Sequence, residues 1–352
     1  MEVTRNSPRR RTRLAGAVFS ILVMLAVTAP DAAAADKDFK GWFAALDLAL
    51  TQPNSLDQHF GDSVNSANPS ATRMNRLVLK NDSDGTFRAS VGYGFGLGFG
   101  SLQASYWSFD NEDSESRSLT GAIAPAIFGY GYNGAMYVLN PTFAAGSKVQ
   151  ATTADLDYVR PMDAGEQFTV KWLAGLRVAT YEEDQSWEAL SGVSSYSYRQ
   201  GKHIESDAVG LKVGASALFD FTRHFSVEGG MTFSFLQGSN KGTSFQTFVD
   251  RPSFTCGTPP CSDFNESKDD RIRGEIRDFD LKAVWTVGDL EYYVGYSASF
   301  WDGLVKDPVP AGGNFFVGPG SAGPSRDGIS FNSLHGGIVW RFAGRQVAGG
   351  GP

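Results

Sequence analysis

The amino-acid sequence predicts an all-β fold, one antiparallel transmembrane β-barrel of ten strands with short periplasmic turns and long extracellular loops. Three observations predict it. Ten segments alternate apolar and polar residues with a period of two. Their nine connections alternate long and short to the end of the chain. Aromatic residues gather at the strand ends, where amphipathic rings meet lipid headgroups.

Residues 1–35 are set aside first. Arg5, Arg9, Arg10, Arg11 and Arg13 form a basic start, Leu14 to Val27 a short apolar core, and Ala33-Ala34-Ala35 a small-residue cleavage site. This reads as a secretory signal peptide, too short and wrongly flanked for a spanning helix. Residues 36–342 are then the barrel and 343–352 a Gly-rich tail. Taking five arginines and two acids from the chain's 31 basic and 38 acidic residues leaves a net charge of −10. Such a surface argues against nucleic acid as a partner. No later stretch approaches the ~18 apolar residues of a spanning helix.

The first strand, 42–51, points Trp42, Ala44, Leu46, Leu48 and Leu50 to one face. In the second, 86–96, Phe87, Ala89, Val91, Tyr93 and Phe95 alternate with Arg88, Ser90, Gly92 and Gly94. The third covers 101–109, and the fourth ends in Ala154, Leu156 and Tyr158 with Asp155 and Asp157 opposite. Further strands are read at 168–180, 206–219, 225–236, 277–287, 290–300 and 331–342, with Gly288-Asp289 a two-residue hairpin signal. The long connections are 52–85, 110–148, 182–204, 238–275 and 302–328. Within the second, Ala122 to Phe128 and Ala135 to Leu139 are apolar enough for two more strands, so twelve is the alternative count.

A ten-stranded barrel falls between those filled by side chains and those holding an aqueous channel. The inward positions therefore matter most. Many are small, among them Ala45, Gly92, Gly175, Gly210, Gly214, Gly295 and Ser297. Small side chains leave room for water. The charged ones are Asp47, Arg88, Asp155, Asp157, Lys171, Arg177, Lys212, Glu228, Asp278, Asp280, Lys282, Glu291 and Arg341. They read either as the wall of a hydrated pore that tunes ion selectivity or as an internal salt-bridge network closing a narrow barrel. The sequence favours neither. Cys256 and Cys261 read as a disulfide in an exported chain, since two thiols alone cannot complete a zinc site.

Gly41-Trp42-Phe43-Ala44-Ala45-Leu46-Asp47, Asp155-Leu156-Asp157-Tyr158, Ala174-Gly175-Leu176-Arg177-Val178-Ala179, Gly210-Leu211-Lys212-Val213-Gly214-Ala215 and Tyr293-Val294-Gly295-Tyr296 form an ordered set. In order and spacing it resembles the Legionella-type major outer membrane protein family of pore-forming barrels. The resemblance implies a porin-like outer-membrane protein and carries over no catalytic residue. Many such barrels finish on an aromatic residue; here Phe342 is followed by ten more residues.

The expected function is passive passage of ions and small hydrophilic solutes through an outer membrane of the Gram-negative type. The alternative is a non-conducting barrel acting through its loops as an adhesin or structural surface protein. An enzyme is not expected. His59, His203 and His224 fall in or beside loops or turns, His335 faces the lumen, and no Gly-x-Ser-x-Gly or His-Glu-x-x-His occurs. Expected partners are outer-membrane lipid and lipopolysaccharide, the barrel-assembly machinery, and ions and small solutes; a homo-oligomer stays open. No cofactor and no metal is expected.

Overall fold

The structure, a computed structural model, describes residues 39–54, 58–64, 73–79, 82–96, 99–118, 122–127, 130–131, 138–139, 141–165, 167–191, 197–249, 262–305 and 328–343. The leader, Cys256 and Cys261, and the tail beyond Ala343 lie outside the described residues. Ten strands close the barrel: β1 (Lys40–Asn54), β4 (Asp84–Phe95), β5 (Ser101–Ser118), β9 (Pro141–Asp163), β10 (Phe168–Ser191), β11 (Ser197–Asp220), β12 (Phe225–Val249), β13 (Ser262–Val287), β14 (Leu290–Asp302) and β15 (Gly328–Ala343). Every pairing is antiparallel, and β1 closes on β15.

Five short strands lie outside that ring: β2 (Gln58–Val64), β3 (Arg73–Leu79), β6 (Ala122–Ile127), β7 (Tyr130–Gly131) and β8 (Val138–Leu139). They form a separate small sheet in which β2 joins β3 to β6. The apolar stretches at 122–128 and 135–139 do contain strands. The first pairs with β2 in the connection after β1, and the second pairs with the first, neither joining the ring, so the barrel has ten strands and not twelve.

The register fixes the barrel's shape. From Asp47 the pairing runs through Gly337, Tyr293 and Val284 to Ser226 on β12. In the other direction it runs through Arg88, Trp107, Thr153, Ala179 and Ala208 to Gly238 on β12. Position 238 lies 12 residues beyond 226, and this offset is the barrel's shear. For ten strands it implies a tilt of roughly 40°, within the range barrel closure requires.

The short turns follow from local chemistry. Gly288, at φ 60°, opens the two-residue hairpin between β13 and β14, a backbone region that a side chain disfavours. Thr222 Oγ1 accepts the backbone N–H groups of His224 and Phe225 at 3.2 and 3.0 Å and ties the β11–β12 turn.

Outward side chains form an apolar band. Trp42, Leu46, Leu48 and Leu50 on β1, and Leu176, Val209, Leu211, Phe235 and Leu281 elsewhere, are large, apolar and exposed. On each strand the band lasts about ten residues, roughly 25 Å along the barrel axis, the height of an outer membrane's apolar layer. Aromatic pairs mark its lower rim: Trp42 with Tyr93 (5.3 Å between centroids), Phe225 with Trp285 (5.1 Å) and Trp340 with Phe342 (4.8 Å). Phe279 and Phe300 stand edge-on toward the upper rim.

The strands do not stop there. β9 to β13 have 23, 24, 24, 25 and 26 residues, about twice what a bilayer crossing needs. Much of what reads as loop is strand, because the alternation reverses. On β10, outward Leu176 and Val178 give way to Thr180, Glu182 and Asp184, while inward Lys171 and Arg177 give way to Ala179, Tyr181 and Trp187. On β12, outward Phe235 gives way to Gln237 and Lys241, and inward Ser234 to Leu236. Below the switch lipid solvates the outside. Above it water does, and the inside becomes a core.

Candidate functional site: the barrel lumen

All thirteen charged residues read as inward do face the lumen. Across most of the membrane height they are paired. Arg177, on β10, donates Nε and Nη2 to the two carboxylate oxygens of Asp155 at 2.7 and 2.8 Å, and Nη1 to Asp278 at 2.6 Å. Lys212 lies 2.7 Å from Asp155 and 2.6 Å from Asp157. Arg177, Lys212, Asp155 and Asp157 have side chains only 4–8 % exposed, so this cluster is packed rather than immersed. Lower down, Glu228 holds Lys171 at 3.0 Å and Lys282 at 3.2 Å. His335 stands between Asp47 (3.0 Å) and Asp280 (3.1 Å). Arg341 pairs with Glu291 at the periplasmic end.

The inward glycines have a different role from the one expected of them. A Cβ on Gly175 would collide with Asp157. One on Gly295 would press on His335 and Lys282, and one on Gly337 on the Tyr293 ring. The room these residues leave is taken by neighbouring side chains rather than by water. Gly175→Val is therefore expected to push Asp157 off Lys212. Overpacking of this kind costs about 1–3 kcal/mol, read as a lower midpoint of heat-modifiable gel mobility. Gly85→Val, where no atom lies within 4 Å, is expected to leave that midpoint unchanged.

Part of the lumen stays open to water. Arg88 is exposed and, among the described residues, has no ion pair. The side chains of Lys171, Asp280 and Lys282 are 32, 33 and 25 % exposed. These groups make a water-accessible, charged vestibule inside the apolar band.

Above the vestibule the lumen is closed by apolar side chains, which sequence reading missed. Phe109, Val149, Tyr181, Ile204, Leu236, Ile272, Ile276, Trp301 and Phe331 are all fully or almost fully buried in one cluster. It draws on eight of the ten barrel strands. β1 and β4 contribute Thr51 and Thr86 instead, which bond each other at 2.8 Å, with Thr51 also 2.7 Å from Ser333. These small residues let Trp107 and Phe109 of β5 reach over to β14 and β15. Phe109 meets Phe331 at 5.2 Å, and Trp107 meets Phe331 at 5.5 Å and Trp301 at 6.3 Å. Past β14 the chain turns at Gly303 (φ 70°) and buries Leu304 and Val305 in the same layer. A signal was present: Ile204 and Ile272 alternate with polar residues inside stretches read as connections.

A closed antiparallel barrel with an apolar outer band, aromatic rims and a charged interior is an outer-membrane β-barrel, and the protein resides in the outer membrane of a Gram-negative-type bacterium. The family model described as Legionella pneumophila major outer membrane protein precursor matches residues 39–270, and the chain belongs to that family. No curated protein matches it. Among solved structures, it is similar to the Escherichia coli outer membrane protease OmpT at 10 % identity, covering 86 % of this chain and 96 % of that one with a TM-score of 0.42. The TodX monoaromatic hydrocarbon channel, as a deletion mutant, is similar at 8 % identity, 87 % and 91 % coverage and a TM-score of 0.32. A Pseudomonas aeruginosa FadL homologue follows at 9 %, 86 % and 90 %, and 0.25.

Proposed function

We propose that this protein is a porin-like channel for ions and small hydrophilic solutes, passive and without enzymatic activity, and that its resting conformation is shut at the apolar layer. The observation that carries this reading is the water-accessible vestibule around Arg88, Lys171, Asp280 and Lys282. A barrel needed only as a wall has no use for an unpaired cation facing water at membrane depth. The apolar layer above it supports the shut state, since hydrophobic constrictions exclude water and ions. The thirteen charged residues then divide in role. Arg88, Lys171, Asp280 and Lys282 set the field that a passing ion meets, while Arg177, Asp155, Lys212 and Asp157 hold the wall together.

A second reading is a non-conducting surface barrel acting through its extracellular part. The packing of that same layer favours it, with Val149, Ile204 and Ile276 wholly buried.

Planar-bilayer recording of the refolded protein separates the two. The expected result is brief, discrete openings whose reversal potential moves toward cation preference in Arg88→Glu. A folded, heat-modifiable barrel that never opens would set the channel aside and leave the surface barrel.

A further inference from the structure

The exterior of the barrel above the apolar band carries a feature that the lumen does not explain. On β10 and β11, Asp184 stands directly opposite His203 and Glu182 directly opposite Glu205. All four point outward on adjacent strands. His203 Nδ1 lies 2.7 Å from Asp184 Oδ1. One ligand atom from each of Glu182, Asp184 and His203 can be chosen so that all lie within 4.8 Å of one another.

Two like charges directly opposite across a strand pair repel, and here Asp184 adds a third acid beside them. Lysines flank the acids on both sides without joining the cluster: Lys241 lies 3.9 Å from Glu205 at an exposed position, and Lys148 stands opposite Asp184 on β9 with no ion pair to it among the described residues. Imidazole nitrogen with carboxylate oxygens is a donor set for a borderline divalent metal such as zinc. A purely acidic cluster would draw hard cations without discrimination; an imidazole at its centre changes that preference. The donors also sit on paired strands rather than on a loop, so their spacing is held by the backbone.

We propose that Glu182, Asp184 and His203 form a surface site for a divalent transition-metal ion, with zinc as the representative ion, on the extracellular barrel wall. His203 supplies one nitrogen and the two acids one oxygen each. The remaining position is open to water or to Glu205, and the bound ion relieves the repulsion between the acids. Binding requires a free imidazole lone pair, so the metal displaces whatever proton the coordinating nitrogen carries.

The test is calorimetric titration of the refolded, full-length barrel in detergent with Zn2+ alone, repeated with Ca2+ alone. Loss of an outer-shell partner already weakens metal sites by roughly 10–100-fold. Loss of a direct ligand in His203→Ala or Asp184→Asn is therefore expected to weaken zinc by about 100-fold or more, with heat-modifiable mobility confirming that each variant folds. Glu112→Gln, an exposed acid on β5 outside the set, is expected to bind as the unaltered protein does. Zinc binding that survives His203→Ala overturns the proposal, as does its absence from the unaltered protein. Calcium binding as tight as zinc that ignores His203 would reduce the site to an acidic surface, and overturns it too.

Discussion

Replacing Arg177 by alanine is expected to cost the barrel about 3–5 kcal/mol, the range for leaving buried charges without their partner. Asp155 and Asp278 lose three hydrogen bonds between them, all of 2.8 Å or less. Lys212 alone then faces three acids in a site with little access to water. The denaturant midpoint of the refolded protein in detergent measures the loss. The double variant Arg177→Ala/Asp278→Asn removes one of the orphaned charges, and should lose less than the sum of its single changes by an interaction energy of about 0.5–3 kcal/mol. A midpoint within about 0.5 kcal/mol of the unaltered protein, the range of an ordinary surface substitution, would mean that water replaces the guanidinium. The wall would then be hydrated at this height and not packed.

The second large effect is expected in the apolar layer. Phe331 touches Trp107, Phe109 and Trp301, so Phe331→Ala should remove about 3–5 kcal/mol through lost contacts and the cavity left behind. Ile276→Ala is a milder change of the same kind, at about 2–5 kcal/mol. If the layer is the closure of a channel, both variants gain lasting conductance steps where the unaltered protein opens only briefly. If both fold and stay silent, the non-conducting surface barrel is the better account. If the unaltered protein is already fully conducting, ions bypass the layer and the closure lies elsewhere.

How far the sequence could be read follows from where its alternation carries one meaning. In the membrane half an apolar residue faces lipid and a polar one faces the lumen. That single rule placed Trp42, Leu176 and Phe235 outside and Asp47, Arg177 and Lys282 inside. It also gave the strand count and, through Gly288-Asp289, a turn. Beyond the band the same period of two continues with its sides exchanged. Ile204 and Ile272 then look like stray hydrophobes among Lys202, Glu205, Asp270 and Arg273, and their stretches read as polar connections. The partner choice inside the lumen was illegible for a different reason. Asp155 and Asp278 meet on Arg177 from strands that are not neighbours, and only the tilt set by the 12-residue shear brings them together. Asp184 and His203 were hidden similarly, since 182–204 reads as one connection until its two arms are seen to pair.

The exchange of sides also bears on how such a chain can be made. Phe109 belongs to the third strand of the ring, whereas Trp301, Ile329 and Phe331 come from the last two. A growing or truncated chain that lacks the final strand can still offer its lower half to lipid, but it has nothing to cover the inner face of its upper half. Until β15 docks on β1, that face is an open apolar sheet in water. Joining the first strand to the last is thus the event that shelters the whole extracellular storey, which gives the cell a simple basis for telling a finished barrel from an unfinished one.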